Sequence, residues 1–177
     1  MLLARILGWN AQKFVVAASL VIAGSGGLNG AIWTAARPGE PLGRVAYTNA
    51  RLLDPASGLD KPGGLLTDGE TIADIGPDLF KSGTPRGAEV VDCKGLCLAP
   101  GLVDMRVQIR EPGEEHKGTI ESAGMSATAG GVTSMVCLPN TKPIIADTSV
   151  VEFVARRARL LGLAKIYPYA AATKNLD

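Results

Sequence analysis

Ten consecutive residues, Asp104-Met105-Arg106-Val107-Gln108-Ile109-Arg110-Glu111-Pro112-Gly113, carry side chains that could do chemistry. On an extended strand, successive side chains point to opposite faces. Asp104, Arg106, Gln108 and Arg110 therefore share one face, while Met105, Val107 and Ile109 share the other and read as core. The polar row climbs to a turn marked by Pro112-Gly113. It is a poor seat for a metal cation, because a guanidinium is permanently positive and offers no acceptor. The sequence holds a single histidine, His116. A hydrolytic zinc site uses two or three imidazoles, or carboxylates in their place, with one position left for water. One histidine cannot supply them, and His116 is read as packing or capping the start of a helix.

Composition excludes other chemistries. The net charge of +1 and an aromatic content of 5% point away from nucleic acid. The 177 residues, 46% hydrophobic and 20% charged, suit a globular domain. The 22 glycines and 11 prolines suggest many turns. Three cysteines, Cys93, Cys97 and Cys137, are an odd set for a disulfide framework and read as buried reduced thiols. A zinc site from Cys93, Cys97 and His116 has no standard spacing.

The elements that must position the polar row begin after a linker, Arg37-Pro38-Gly39-Glu40-Pro41-Leu42-Gly43. Short strands are expected at residues 45–47 and 50–53, either side of Thr48-Asn49. Others follow at 64–67, at 71–75 after an Asp68-Gly69 hairpin turn, at 89–93 and at 96–99. Residues 44–99 thus read as part of a small β-sandwich. From Pro100-Gly101 the pattern becomes strand, helix, strand, helix, strand. The expected strands are 102–109, 132–138 and 165–170, the last containing Pro168. The first helix is predicted from His116 to Ala129, ending at Gly130-Gly131, with Ile120, Ala123 and Ala127 inward. The second is predicted from Val150 to Leu161, opened by a capping box at Ser149 and Glu152 and closed by Gly162. Its inward residues are Val151, Val154, Ala155, Ala158 and Leu161, and Arg156, Arg157 and Arg159 read as a solvated face. Such alternation means a parallel sheet. The fold class is α/β: residues 100–177 read as the start of a (β/α)8 barrel, of which about three strands fit here, since a complete one takes roughly 250 residues. That count reads as a fragment or an early-ended product.

Residues 1–43 read as an apolar extension plus linker. No charged residue lies between Phe14 and Ala36, and Arg5 and Lys13 precede the apolar run. A signal peptide is the rival reading. A membrane span is not expected, because the run falls well below about 20 residues and glycines interrupt it.

Four motifs in order carry a family resemblance: Arg110-Glu111-Pro112-Gly113, Glu115-His116-Lys117, Gly130-Gly131-Val132-Thr133 and Leu138-Pro139-Asn140-Thr141-Lys142-Pro143. The phrase Asn49-Ala50-Arg51-Leu52-Leu53-Asp54-Pro55 adds to them. From about Val45 onward the chain resembles the dihydroorotases of the amidohydrolase superfamily. In that family the first barrel strand reads His-x-His-x-Arg-Glu-Pro-Gly, and the two histidines hold zinc. Here Arg106 and Gln108 stand at those positions. The resemblance implies that Arg110 and Asn140 hold the carboxylate of dihydroorotate. Arg grips a carboxylate with two prongs, and Asn adds a neutral donor. The competing reading pairs Arg110 with a local acid, Glu111 or Glu114. Arg106 is expected either to stand in for the lost cation by pairing with a carboxylate such as Asp104, or to be tolerated, together with Gln108, in a decayed site. The resemblance further implies a cytoplasmic, noncatalytic homologue in pyrimidine biosynthesis. It would need no cofactor in this chain, join an oligomer, and associate with aspartate carbamoyltransferase. An active enzyme with ligands supplied downstream is the alternative, and an exported protein reusing the fold is a third.

Overall fold

This computed structural model describes residues 20–23, 43–69 and 71–173. The amino-terminal apolar segment, and the two readings given to it, fall outside the described residues apart from a short strand, β1 (Leu20–Ala23). No helix among the described residues is long and apolar enough to cross a membrane. From residue 43 onward the chain divides into two compact units, with the boundary between Ala99 and Pro100.

The first unit is built on β2 (Arg44–Asp54), β3 (Leu59–Asp68), β4 (Thr71–Gly76), β5 (Glu89–Asp92) and β6 (Cys97–Pro100). β2 pairs antiparallel with β3, and β3 with β4. Along its other edge β2 accepts β5 and then β6, both parallel, one after the other. The two short strands expected around Thr48-Asn49 are one long strand with a register shift between Tyr47 and Ala50. Asn49 takes a left-handed backbone (φ 52), and its side-chain amide donates to Asp92 Oδ1 at 2.9 Å. Asn tolerates that conformation better than most residues. The hairpin at Asp68-Gly69 forms, with Gly69 at φ 58. Tyr47, Ala50, Leu52, Leu65, Cys93 and Leu98 are buried in this unit.

The second unit carries β7 (Leu102–Val107), α1 (Ile120–Ala129), β8 (Val132–Cys137), α2 (Thr148–Leu161) and β9 (Lys165–Pro168). The three strands are parallel in the order β7-β8-β9. β8 is central, and its alternate residues Thr133, Met135 and Cys137 are buried. Met135 and Cys137 join Ile109, Ile120, Ile145, Val154 and Ile166 in one core.

Three expectations need correcting. The first helix begins at Ile120, not His116, because Glu115–Lys117 forms a separate 3-10 turn. Thr119 and Ser122 then cap the helix reciprocally: the Thr119 hydroxyl accepts from Ser122 N–H, and the Ser122 hydroxyl from Thr119 N–H. The second helix is capped by Asp147 rather than Ser149. Its Oδ1 accepts from the N–H groups of Ser149 (2.8 Å) and Val150 (3.2 Å). Finally, Met105 is 58% exposed although it shares a strand face with buried Ile109. β7 is the edge of this sheet among the described residues, and nothing there covers Met105.

Candidate functional site

The loops leaving the carboxyl ends of β7 and β8 are stitched together. Leu138 N–H donates to Val107 O at 2.9 Å, and Lys142 N–H donates to Pro112 O at 3.0 Å. Gly113 lies against the Lys142 carbonyl, where a Cβ would collide with the backbone, and its φ of 98 disfavours any side chain. This close approach holds the two loops in one arrangement, and one carries Arg110 while the other carries Asn140.

Arg110 is engaged at both ends of its fork. Nη2 donates to Gln108 Oε1 at 2.8 Å, and Nη1 meets Glu114 Oε2 at 3.3 Å. Of the two local acids expected as partners, Glu114 takes the role. Its other oxygen receives Lys117 Nζ at 2.7 Å and Lys142 Nζ at 3.2 Å. The hydrogen bonds from Lys117 and then Lys142 pull the Glu114 carboxyl down to about 2. Glu111 turns the other way. Buried, it accepts the Ile120 N–H at 2.8 Å and faces Arg157 Nε at 3.6 Å. Arg157 is therefore not simply solvated. It helps tie α2 to the β7 loop and the start of α1.

Asn140 places its side-chain oxygen in a buried position with no hydrogen-bond partner among the described residues. Its neighbour Thr141 is buried and closes the loop through a hydroxyl bond to Pro143 O at 2.7 Å. His116 is exposed in the 3-10 turn.

Arg106 departs from the ion-pair expectation. Asp104 Oδ1 accepts the backbone N–H of Arg106 at 3.0 Å, and the guanidinium makes no ion pair with a described carboxylate. A short carboxylate two residues back on the chain reaches the nearby backbone N–H readily. Gln108, read as a passive replacement, is instead an acceptor for Arg110. Its spacing of two residues from Arg110, on one face of the extended segment read from the sequence, was the signal for that contact. The Glu114 spacing to Arg110 and Lys117 was also legible, whereas the Lys142 contact spans 28 residues and carried no sequence signal.

The positions that the resemblance assigns to zinc do not fit the ion. Arg106 has no lone pair to give and Gln108 is a neutral amide already occupied by Arg110. Among the described residues no three His, Cys, Asp or Glu side chains are grouped to hold a metal, so Cys93, Cys97 and His116 do not form such a set. All three cysteines are unpaired thiols, and burial pushes those of Cys93 and Cys137 up to about 11, which leaves them unreactive.

A family model described as dihydro-orotase-like matches residues 95–177. The dihydroorotase of Ehrlichia chaffeensis (strain ATCC CRL-10679 / Arkansas) is 48% identical over 132 residues, covering 74% of this chain and 30% of the relative. That of Ehrlichia canis (strain Jake) is 50% identical over 131 residues, covering 73% and 29%. This chain therefore spans about 30% of the length of these relatives. Among solved structures, the L-hydantoinase (dihydropyrimidinase) from Arthrobacter aurescens aligns with a TM-score of 0.57 and 24% identity, over 66% of this chain and 25% of that one. That likeness concerns the fold, a mixed α/β architecture shared with barrel amidohydrolases. Near-half identity over about three quarters of the chain, together with the family match over residues 95–177, makes this chain a relative of the dihydroorotases in the amidohydrolase superfamily.

Proposed function

We propose that this protein is a noncatalytic dihydroorotase homologue of pyrimidine biosynthesis. The family reaction is the zinc-dependent hydrolysis of the cyclic amide of dihydroorotate. One observation carries the noncatalytic reading: the carboxyl end of β7 presents Arg106, which has no lone pair to offer a cation, and Gln108, a neutral amide whose oxygen already accepts from Arg110, where the family has two imidazoles. In this reading residues 44–99 contribute to a β-sandwich, and residues 100–177 supply the opening strands and helices of a (β/α)8 barrel. The parallel β7-β8-β9 order, with a helix in each connection, supports it. Arg110 and Asn140 are the carboxylate-binding pair, supported by their positions on two joined loops at strand ends. The protein supports aspartate carbamoyltransferase in an oligomer rather than hydrolysing dihydroorotate itself. A cytoplasmic location fits three unpaired cysteines. The test is dihydroorotate hydrolysis by the purified protein, with and without added zinc, alongside gel filtration with aspartate carbamoyltransferase. No turnover and a shared elution peak are expected; zinc-dependent turnover would sink the noncatalytic reading.

A second reading keeps the enzyme active, with metal ligands drawn from residues other than these. The identity of 48–50% to proteins named dihydroorotase favours it. The same hydrolysis assay separates the two.

A further inference from the structure

Arg110 is not waiting open for a ligand. An end-on grip on a carboxylate uses Nη1 and Nη2 together. Both nitrogens already donate, one to Gln108 Oε1 at 2.8 Å and one to Glu114 Oε2 at 3.3 Å. Glu114 is itself a carboxylate. Its side chain is only 14% exposed, and three cations from different parts of the loops surround it: Arg110, Lys117 and Lys142. One negative charge among three positive ones is the arrangement expected where an anion has been built in.

We propose that Glu114 is a resident competitor, filling the place on Arg110 that the carboxylate of a small acidic ligand would take, so that the ligand binds only by displacing it. This rests on the reading of Arg110 as a carboxylate ligand. Gln108 is a positioning residue in the same device, since it holds the second prong of Arg110 turned toward its own strand. The site is thereby closed to weak carboxylates while its loops stay charged and ordered.

The test is calorimetric binding of dihydroorotate to the full chain, with dihydrouracil, which lacks the carboxylate, as the control. Glu114→Gln keeps the shape and removes the charge. It is expected to bind dihydroorotate about tenfold more tightly than the parent protein and dihydrouracil no better. The gain should vanish in the double variant Arg110→Gln/Glu114→Gln. Equal or weaker dihydroorotate binding by folded Glu114→Gln overturns the proposal. So does a gain that survives loss of Arg110, because the lysines alone would then explain it. If the parent binds through Arg110 and Glu114→Gln brings no gain, the competitor falls while the reading of Arg110 stands. If no folded variant binds dihydroorotate, both fall. Should Glu114→Gln not fold, Glu114→Asp replaces it. Its shorter carboxylate withdraws from Arg110 but stays near the lysines, the same gain is expected, and its absence is equally fatal.

Discussion

β7 and β8 lie side by side in one parallel sheet, yet they end up in opposite conditions. Met135 is 2% exposed and Cys137 fully buried on β8, whereas Val103 and Met105 on β7 are 59% and 58% exposed. Along β8 burial alternates residue by residue, whereas β7 is exposed from Leu102 to Arg106. Among the described residues, β8 has a strand on each side, while β7 has one. Alternation therefore specifies a strand, and burial follows where a face meets packed neighbours: Ile166 on β9, the other edge strand among the described residues, is 8% exposed because it joins Val154 and Ala158 of α2 in the core. The same contrast holds for charge. Arg110, past the end of β7, is held by Gln108 and by Glu114 of its own loop, and Glu114 in turn receives Lys142 from the β8 loop. Arg106, four residues earlier on the same face, lies on the bare stretch and makes no ion pair with a described carboxylate. Loop contact, not strand position, decides which arginine is structured.

The largest expected effect falls where the two strands' loops meet. Gly113→Ala forces a Cβ into the Lys142 backbone at φ 98. It should cost about 3–5 kcal/mol in urea unfolding; a loss below about 1 kcal/mol would mean the loops are not joined as described. Next comes a matched pair on the strands. Met135→Ala should cost about 3 kcal/mol, and Met105→Ala less than about 0.5 kcal/mol. Similar costs for both would erase the contrast between β7 and β8. Glu111→Ala leaves the Ile120 N–H without its acceptor and should cost about 2 kcal/mol. Hydrogen exchange at Ile120 should rise with it. The smallest effect is a pH dependence. Glu114 titrates at about 2 in the fold against an ordinary 4.5. A depressed carboxyl stabilises the fold above its unfolded value, and that contribution fades as pH falls from about 4.5 toward 2. Comparing urea midpoints of the parent and Glu114→Gln across that window should show the gap shrinking with acid. A constant gap would remove Glu114 from the cluster.

Much of the architecture was legible because local rules agree with the fold. The Asp68-Gly69 hairpin, the glycines after α1 and the left-handed Gly162 after α2 all stand where turn chemistry puts them. Boundaries failed where two local signals compete. Ser149 and Glu152 have capping-box spacing, but Asp147 lies two residues earlier and its carboxylate reaches two N–H groups. Residues 116–119 have helical character, but Gly118 and the Thr119 cap restart the chain. Of the site, the polar face of β7 and the Arg110–Glu114 spacing were visible in sequence. The Glu111–Arg157 and Glu114–Lys142 contacts were not, because they join residues 46 and 28 positions apart and depend on how α2 and the β8 loop pack. The buried oxygen of Asn140 was likewise hidden, since burial of one atom has no sequence signature.

The central claim is that Arg106 and Gln108 abolish the metal grip of the first strand in the second unit. Its most direct test is zinc titrated into the metal-free full chain and followed by calorimetry. The account predicts no stoichiometric uptake at neutral pH. Tight binding of one or two zinc ions per chain, weakened by replacing Gln108 with alanine, would contradict it.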